Sequence, residues 1–159
     1  MEKSIKLYID TSVWNFALET ERTDCLLTWD FFRILRNERS NYTVLISDLV
    51  EDEMNRASSE RKKELAKLID SFSPEVIQPN KEEILSLANT YISEKLIPVK
   101  YRDDAMHIAI ASLIRCDFLV SWNFKHIVKA KVIKGVHMIN LREGYALIEL
   151  VSPRQFLGK

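Results

Sequence analysis

The sequence has only three glycines and two cysteines, and each scarcity excludes a class of site. No GxGxxG loop is present, so the chain lacks the glycine-rich turn with which many proteins hold a nucleotide phosphate. Cys25 and Cys116 stand far apart and form no CxxC pair. Neither a disulfide framework nor a zinc site is therefore predicted, and a reducing cytoplasm is the expected location.

Long apolar runs are also missing. A membrane-spanning helix needs about 20 consecutive apolar residues, and no stretch approaches that length. The apolar run before Asp10 is too short for the core of a signal peptide. We therefore expect a protein that does not contact a membrane. Its 159 residues, 47% of them hydrophobic, suit a single domain over 1–159 with a core of its own.

A net charge is absent as well, because 23 basic residues balance 23 acidic ones. That balance argues against a protein that coats nucleic acid nonspecifically. The two signs are nevertheless segregated, since 48–53 is acidic and 125–134 contains four lysines and no acid. The pattern fits either an acidic pocket beside a basic wall or two separate solvated faces.

Short apolar stretches alternate with longer amphipathic ones along the chain. Strands separated by helices are typical of a parallel sheet covered on both faces, so the predicted fold is a three-layer α/β/α sandwich with about five strands. The predicted strands are 5–10, 42–47, 75–77, 117–122 and 136–140. The predicted helices are 24–36, one after Ser47, 58–70, 81–94, one from Asp104, and a short one that Ser152 caps before Pro153.

Acidic side chains fall where this topology would bring them together. Asp10 ends the first strand, Asp104 opens an almost wholly apolar helix, and Glu53 lies in the helix after the second strand. Residues 121–123 end a further strand. Ligands of open parallel sheets bind beyond the carboxyl ends of the strands, and all four pieces converge there. Taken singly, each acid has a simpler interpretation as a helix cap or a solvated residue.

Clustered carboxylates have a definite chemistry. Three of them within a few ångströms repel one another unless a proton or a cation intervenes. Mg²⁺ and Mn²⁺ prefer such oxygen ligands together with retained waters. A bound ion of this kind activates water and stabilises the charge on a phosphodiester in its transition state.

Five blocks of the sequence together resemble the PIN domain, which is known from the VapC toxins of toxin–antitoxin pairs. The first four blocks occur in the family's order, and the resemblance spans nearly the whole chain. They are 8-YIDTSVW-14, 47-SDLVEDEM-54, 104-DAMHIAIAS-112, 119-LVSWNFKHI-127 and 148-IELVSPRQFL-157, the last corresponding to the family's closing strand and helix.

The resemblance implies an endoribonuclease that hydrolyses RNA with Mg²⁺ or Mn²⁺ on a sheet of five parallel strands. Asp10 and Asp104 would be direct metal ligands, and Glu53 would bind the metal or orient its water. Asn123 stands where many members have a fourth Asp, and its amide can bind a metal through the carbonyl or hold a water, but brings no charge. One tightly held ion is therefore favoured. The family further implies RNA as substrate, a possible antitoxin protein as partner, and a homodimer.

Other polar residues near the predicted site are candidates for RNA contact or for supporting the acids: Thr11, Ser121, Lys125 and His126. Ser121 matches a hydroxyl residue often found just before the fourth position. Lys125 and His126 would lie near the rim.

The remaining histidines and large aromatics have two interpretations each. His107 lies one helical turn after Asp104. It either donates a hydrogen bond to a carboxylate or is a buried core residue whose hydrogen bonds are made within the core. Its apolar neighbours favour the second interpretation. His137 is assigned to a strand, with a structural role. Trp14, Phe16 and Trp122 either belong to the core or stack on RNA bases.

Two alternative functions remain. A PIN-like scaffold that has lost activity would bind RNA or a protein partner, and Asn123 is its support. A phosphoaspartyl fold also places an Asp at a strand end. A phosphatase of that kind needs a second Asp where Ser12 stands, and a receiver needs an acidic pair where the first strand ends in one acid.

Overall fold

The computed structural model describes residues 3–159, and within them five strands form one parallel sheet. The strand order is β3-β2-β1-β4-β5. The strands are β1 (Ile5–Ile9), β2 (Tyr42–Ser47), β3 (Glu75–Ile77), β4 (Phe118–Val120) and β5 (Glu149–Val151). The α/β fold class with five parallel strands that the sequence predicted is therefore confirmed.

Within the described part of the chain, eight α-helices connect and cover these strands. Several begin at the capping residues that the sequence offers: Ser58 accepts from the backbone N–H of Arg61, and Ser152 forms a capping box with Gln155. The helices are α1 (Thr11–Leu18), α2 (Thr23–Asn37), α3 (Asp48–Asn55), α4 (Ser59–Asp70), α5 (Lys81–Ser93), α6 (Arg102–Leu113), α7 (Ala130–Glu143) and α8 (Pro153–Phe156). Short 3₁₀ turns precede β2 (Arg39–Asn41) and α6 (Val99–Tyr101).

The central strand shows that both faces of the sheet are covered. Leu7, Tyr8 and Ile9 are consecutive in β1, and each is 0% exposed. Successive side chains of a strand point to opposite faces, so neither face of β1 meets solvent. Helix α6 is likewise buried almost all round, as its apolar composition predicted.

The strand register brings the carboxyl ends of the inner strands level with one another. Ile9 pairs with Val120, and Tyr8 pairs with Leu45. The backbone N–H of Asp10 then donates to the carbonyl of Val120 over 3.2 Å. Residues that follow β1, β2 and β4 consequently meet at one edge of the sheet.

One predicted strand is wrong. Residues 136–140 lie in α7, which buries Val132, Val136 and Ile139 at helical spacing and ends at Gly144 in the left-handed conformation (φ 81°). His137 is thus a helical residue, and its Nε2 contacts the carbonyl oxygen of Ile148 at 2.8 Å. The fifth strand is β5, which the closing block of the resemblance had indicated.

No helix within residues 3–159 is long and apolar enough to cross a membrane.

Candidate active site

A cavity of about 340 Å³ opens at the carboxyl edge of the sheet. The side chains around it come from α1, α3, α6 and the loop after β4. Its lining residues are Asp10, Thr11, Ser12, Asn15, Phe16, Glu19, Glu53, Asp104, His107 and Asn123. The structure therefore brings together the three acids that the sequence singled out, and neither lysine nor arginine lines the cavity.

Asp10 is the most deeply buried of the three acids, with 4% of its surface exposed. It caps α1, where its Oδ1 accepts from the backbone N–H and the hydroxyl of Ser12. Its Oδ2 accepts from the hydroxyl of Ser121 over 2.7 Å. Burial raises the pKa of Asp10, and it outweighs the opposing influence of His107 and of the two serine hydroxyls. The protein therefore holds a carboxylate in place at a cost in desolvation.

Glu53 is held by two donors that approach the same oxygen. Thr11 donates to its Oε1 over 3.0 Å, and the Nε2 of His107 forms a short hydrogen bond with the same atom. Burial alone would raise the pKa of Glu53, but the hydrogen bond and charge of His107 outweigh it and the pKa is lowered. Glu53 is thus kept ionised inside the cavity.

His107 links Glu53 to the core. The ring is 2% exposed, and its Nδ1 lies 2.7 Å from the hydroxyl of Tyr8, which in turn lies 2.7 Å from Ser47 Oγ. Burial would lower the pKa of His107, but the surrounding acids, Glu53 first, raise it. The imidazole is buried as the core interpretation predicted, yet its partner is a carboxylate of the cavity, as the alternative predicted.

Asp104 occupies the first turn of α6, as the sequence predicted. Its Oδ2 lies 3.0 Å from Nδ1 of His126, whose ring packs against that of Tyr101 at a tilt of 32°, with a centroid separation of 3.9 Å. Burial raises the pKa of Asp104 against the lowering influence of Asn123, His107 and His126. The neighbouring Asp103 faces away and pairs with Arg56 at 2.9 Å.

Asn123 uses its carbonyl oxygen within its own loop. Oδ1 accepts from the backbone N–H groups of Lys125 and His126, at 3.1 and 2.9 Å. These donors fix the orientation of the amide. The oxygen is therefore engaged within the loop, and the amide nitrogen is the group left to face Asp104.

The oxygen ligands of the cavity suit a divalent cation that keeps several waters better than one enclosed entirely by protein side chains. Among residues 3–159 no three acidic, histidine or cysteine side chains stand close enough to enclose an ion. Mg²⁺, however, usually keeps several waters and takes only one or two carboxylates from the protein. The raised pKa values of Asp10 and Asp104 also show that burial makes their charges costly, and a cation would relieve that cost.

The other predicted site residues lie behind or beside the cavity. Ser121 is buried and supports Asp10, His126 supports Asp104, and Lys125 lines a neighbouring groove with His126. Trp14 and Trp122 are 0% and 3% exposed, so they belong to the core and do not present a face to RNA. Phe16 is partly exposed at the rim and stacks on Trp122.

Sequence reasoning missed three polar supports of the site, namely Tyr8, Ser12 and Ser47. Ser12 had a signal, because a serine two residues after an Asp cap is placed to bond that Asp. Its hydroxyl also accepts from the backbone N–H of Trp122 over 2.9 Å, which ties α1 to the loop after β4. Tyr8 had no such signal in the sequence, since the partners of its hydroxyl lie 39 and 99 positions away along the chain.

No family model matches the sequence, and no curated protein matches it. The fold, by contrast, has a match among solved structures. The fold is similar to that of a chain in the crystal structure of VapBC2 from Rickettsia felis bound to a DNA fragment from their promoter. The similarity has a TM-score of 0.58 and covers 93% of this chain and 98% of that one, at 16% sequence identity. It shows a shared fold.

Proposed function

We propose that this chain is a PIN-type endoribonuclease that hydrolyses RNA phosphodiester bonds with Mg²⁺ or Mn²⁺. One observation carries the proposal: Asp10, Glu53 and Asp104 come from three separate elements and line a single cavity at the carboxyl edge of a parallel sheet. The fold likeness to a VapBC2 chain supports it. Phosphoaspartyl chemistry has no such support, because Ser12 bonds Asp10 where a phosphatase needs a second acid.

The roles of the side chains follow from their surroundings. Asp10 and Asp104 would hold the ion, and Glu53 would orient a water beside it. When bound, the ion supplies water activation and charge stabilisation at the phosphate. Ser12 and Ser121 fix the Asp10 carboxylate, while His107 and Thr11 fix that of Glu53. Preorganised groups of this kind need no rearrangement during the reaction.

The biological setting that we propose is the one that the resemblance to PIN-domain toxins implies. The chain would be a single-domain cytoplasmic toxin that forms a homodimer and is held in check by an antitoxin protein. A small DNA-binding protein encoded in the adjacent reading frame would support this setting. If the adjacent reading frame encodes no such protein, the chain would act as a stand-alone nuclease.

Metal-dependent cleavage is the direct test. The purified protein should cut single-stranded RNA when Mg²⁺ or Mn²⁺ is present, because the ion is needed to offset the charge of both the acids and the phosphate. EDTA should stop the reaction and an excess of Mn²⁺ should restore it, with cleavage products resolved on denaturing gels. Cleavage that persists in EDTA, or no cleavage of RNAs of varied sequence, would contradict the proposal.

The second candidate function is a scaffold with weakened activity, and Asn123 is the observation behind it. In Asn123→Asp, one oxygen can keep the bonds to the backbone of Lys125 and His126 while the other replaces the amide nitrogen that faces Asp104. If Asn123 has only weakened a second ion site, the variant should cleave roughly tenfold faster at limiting Mn²⁺, or about 1.4 kcal/mol in the barrier. A wild type without activity and an active variant would favour the scaffold.

A further inference from the structure

A second concave surface lies beside the acidic cavity and has the opposite charge. We call it the lysine groove. It has a volume of about 620 Å³ and is formed by the end of α5, the segment that follows it, the loop between β4 and α7, and the start of α7. No acidic side chain lines it, and the lysines that do are Lys95, Lys125, Lys129 and Lys131.

The positive charge of the groove is not neutralised by its surroundings. All four lysines are exposed, and none forms an ion pair with a carboxylate within residues 3–159. Glu94, the acid next to Lys95, is engaged by Arg142. Four uncompensated charges around one concavity focus a positive potential that attracts a polyanion.

The groove and the acidic cavity share a wall. His126 lines the groove, and its Nδ1 lies 3.0 Å from the carboxylate of Asp104, which lines the cavity. Tyr101 packs on the His126 ring, and the ammonium group of Lys125 lies 5.8 Å from the Tyr101 ring centre. A polyanion whose phosphates contact these lysines would therefore lie beside the acids of the cavity.

An exposed aromatic residue lies next to residues of both surfaces in the sequence. Phe124 is 51% exposed and lies between Asn123 of the cavity and Lys125 of the groove. Single-stranded nucleic acids are held by this combination, because basic side chains follow the backbone while aromatic rings stack on unpaired bases. Bases in an RNA duplex are already stacked and do not offer a free face.

We propose that the lysine groove binds the phosphate backbone of single-stranded RNA next to the bond that is cut, with Phe124 stacked on a base. The proposal rests on the nuclease function, since RNA is chosen as the polyanion partly for its position beside the acids. An acidic protein segment is the competing occupant. Such a segment would form ion pairs with the lysines, but it has no base to stack on the exposed ring of Phe124.

Binding measured without cleavage tests the groove separately from the nuclease. Fluorescence anisotropy of a labelled single-stranded RNA in EDTA is recorded over a range of salt concentrations. The triple variant Lys125→Gln, Lys129→Gln, Lys131→Gln should raise Kd at least about tenfold at low salt. It should also reduce the slope of log K against log salt by about 2, since each contact to a single strand contributes roughly 0.7.

Matched controls separate the groove from the total charge and from stacking. Lys3→Gln, Lys6→Gln, Lys159→Gln removes the same three charges away from the groove and should leave both Kd and slope near wild type. Phe124→Ala changes no charge and should raise Kd about fivefold or more while preserving the salt slope. Thermal unfolding of each variant verifies that it is folded.

Each outcome decides between the claims. Equal losses in the two triple variants would overturn the groove, and so would tighter binding of wild type to polyglutamate than to RNA of equal charge. A wild type that binds RNA through these lysines but never cleaves it would uphold the groove and overturn the nuclease. Cleavage whose KM does not change when the lysines are substituted would uphold the nuclease and overturn the groove.

Discussion

Asp10→Asn is expected to produce a protein that is inactive and yet more stable without metal. Cleavage should fall by about a thousandfold or more, because the variant lacks one of the two charges that would hold the ion, a loss of several kcal/mol in the transition state. The metal-free Tm at neutral pH should rise, since burial raises the pKa of Asp10 and the charged form therefore opposes folding. Each kcal/mol relieved corresponds to about 2–4 °C.

The substitution is mild in shape, because Asn is also a good helix cap and can still accept from Ser12. The stability gain should shrink as the pH falls through the raised pKa of Asp10, where the wild-type carboxyl becomes neutral as well. Mg²⁺ should raise the Tm of wild type and leave that of the variant almost unchanged. Asp103→Asn, the same change on a residue that faces Arg56, is the control. Equal metal-induced shifts in wild type and Asp10→Asn would show that Asp10 is not a ligand.

His107→Ala is expected to destabilise the protein by about 2–4 kcal/mol, or on the order of 10 °C in Tm. The change leaves a cavity beside α6 and removes one hydrogen-bond partner each from the Tyr8 hydroxyl and the Glu53 carboxylate. Cleavage should fall too, since Glu53 loses one of the two donors that fix it. Circular dichroism melts and the RNA assay measure the two effects.

His137→Ala is the matched control, because its single contact to the carbonyl of Ile148 should cost less than about 1.5 kcal/mol. The destabilisation by His107→Ala should be larger at mildly acidic pH than at alkaline pH. A histidine whose folded pKa is raised contributes stability that is lost as the pH rises through that pKa. A double-mutant cycle with Glu53→Gln measures the coupling directly. No coupling, together with full activity, would mean that His107 is an ordinary core residue.

Much of the fold was predictable because each element carried its own signal. Capping residues and apolar periodicity indicated α4, α6 and α8 close to their observed bounds. The error at 136–140 arose because a short stretch with Val136, Met138 and Ile139 suits a strand as well as a helix. The longer spacing from Val132 through Val136 to Ile139, with Gly144 as a left-handed end, carried the correct assignment.

The acids of the site were predictable from topology, whereas their supports were not. Asp10 and Asp104 follow a strand and begin a helix, and chain order alone sends such positions to one edge. The Tyr8–His107–Glu53 series depends on side-chain packing between distant elements, which local sequence does not encode. The orientation of the Asn123 amide depends likewise on two backbone donors of its own loop.

The position of β1 in the sheet determines how the site responds to local unfolding of the protein. Its backbone is hydrogen-bonded to β2 on one side and to β4 on the other, and its last three side chains are fully buried. Amides in such a strand should exchange with solvent mainly through global opening, whereas the three-residue edge strands β3 and β5 should fray more easily. Asp10 directly follows β1 and is bonded to β4. The cavity should therefore outlast fraying of the sheet edges and disappear only when the whole chain unfolds.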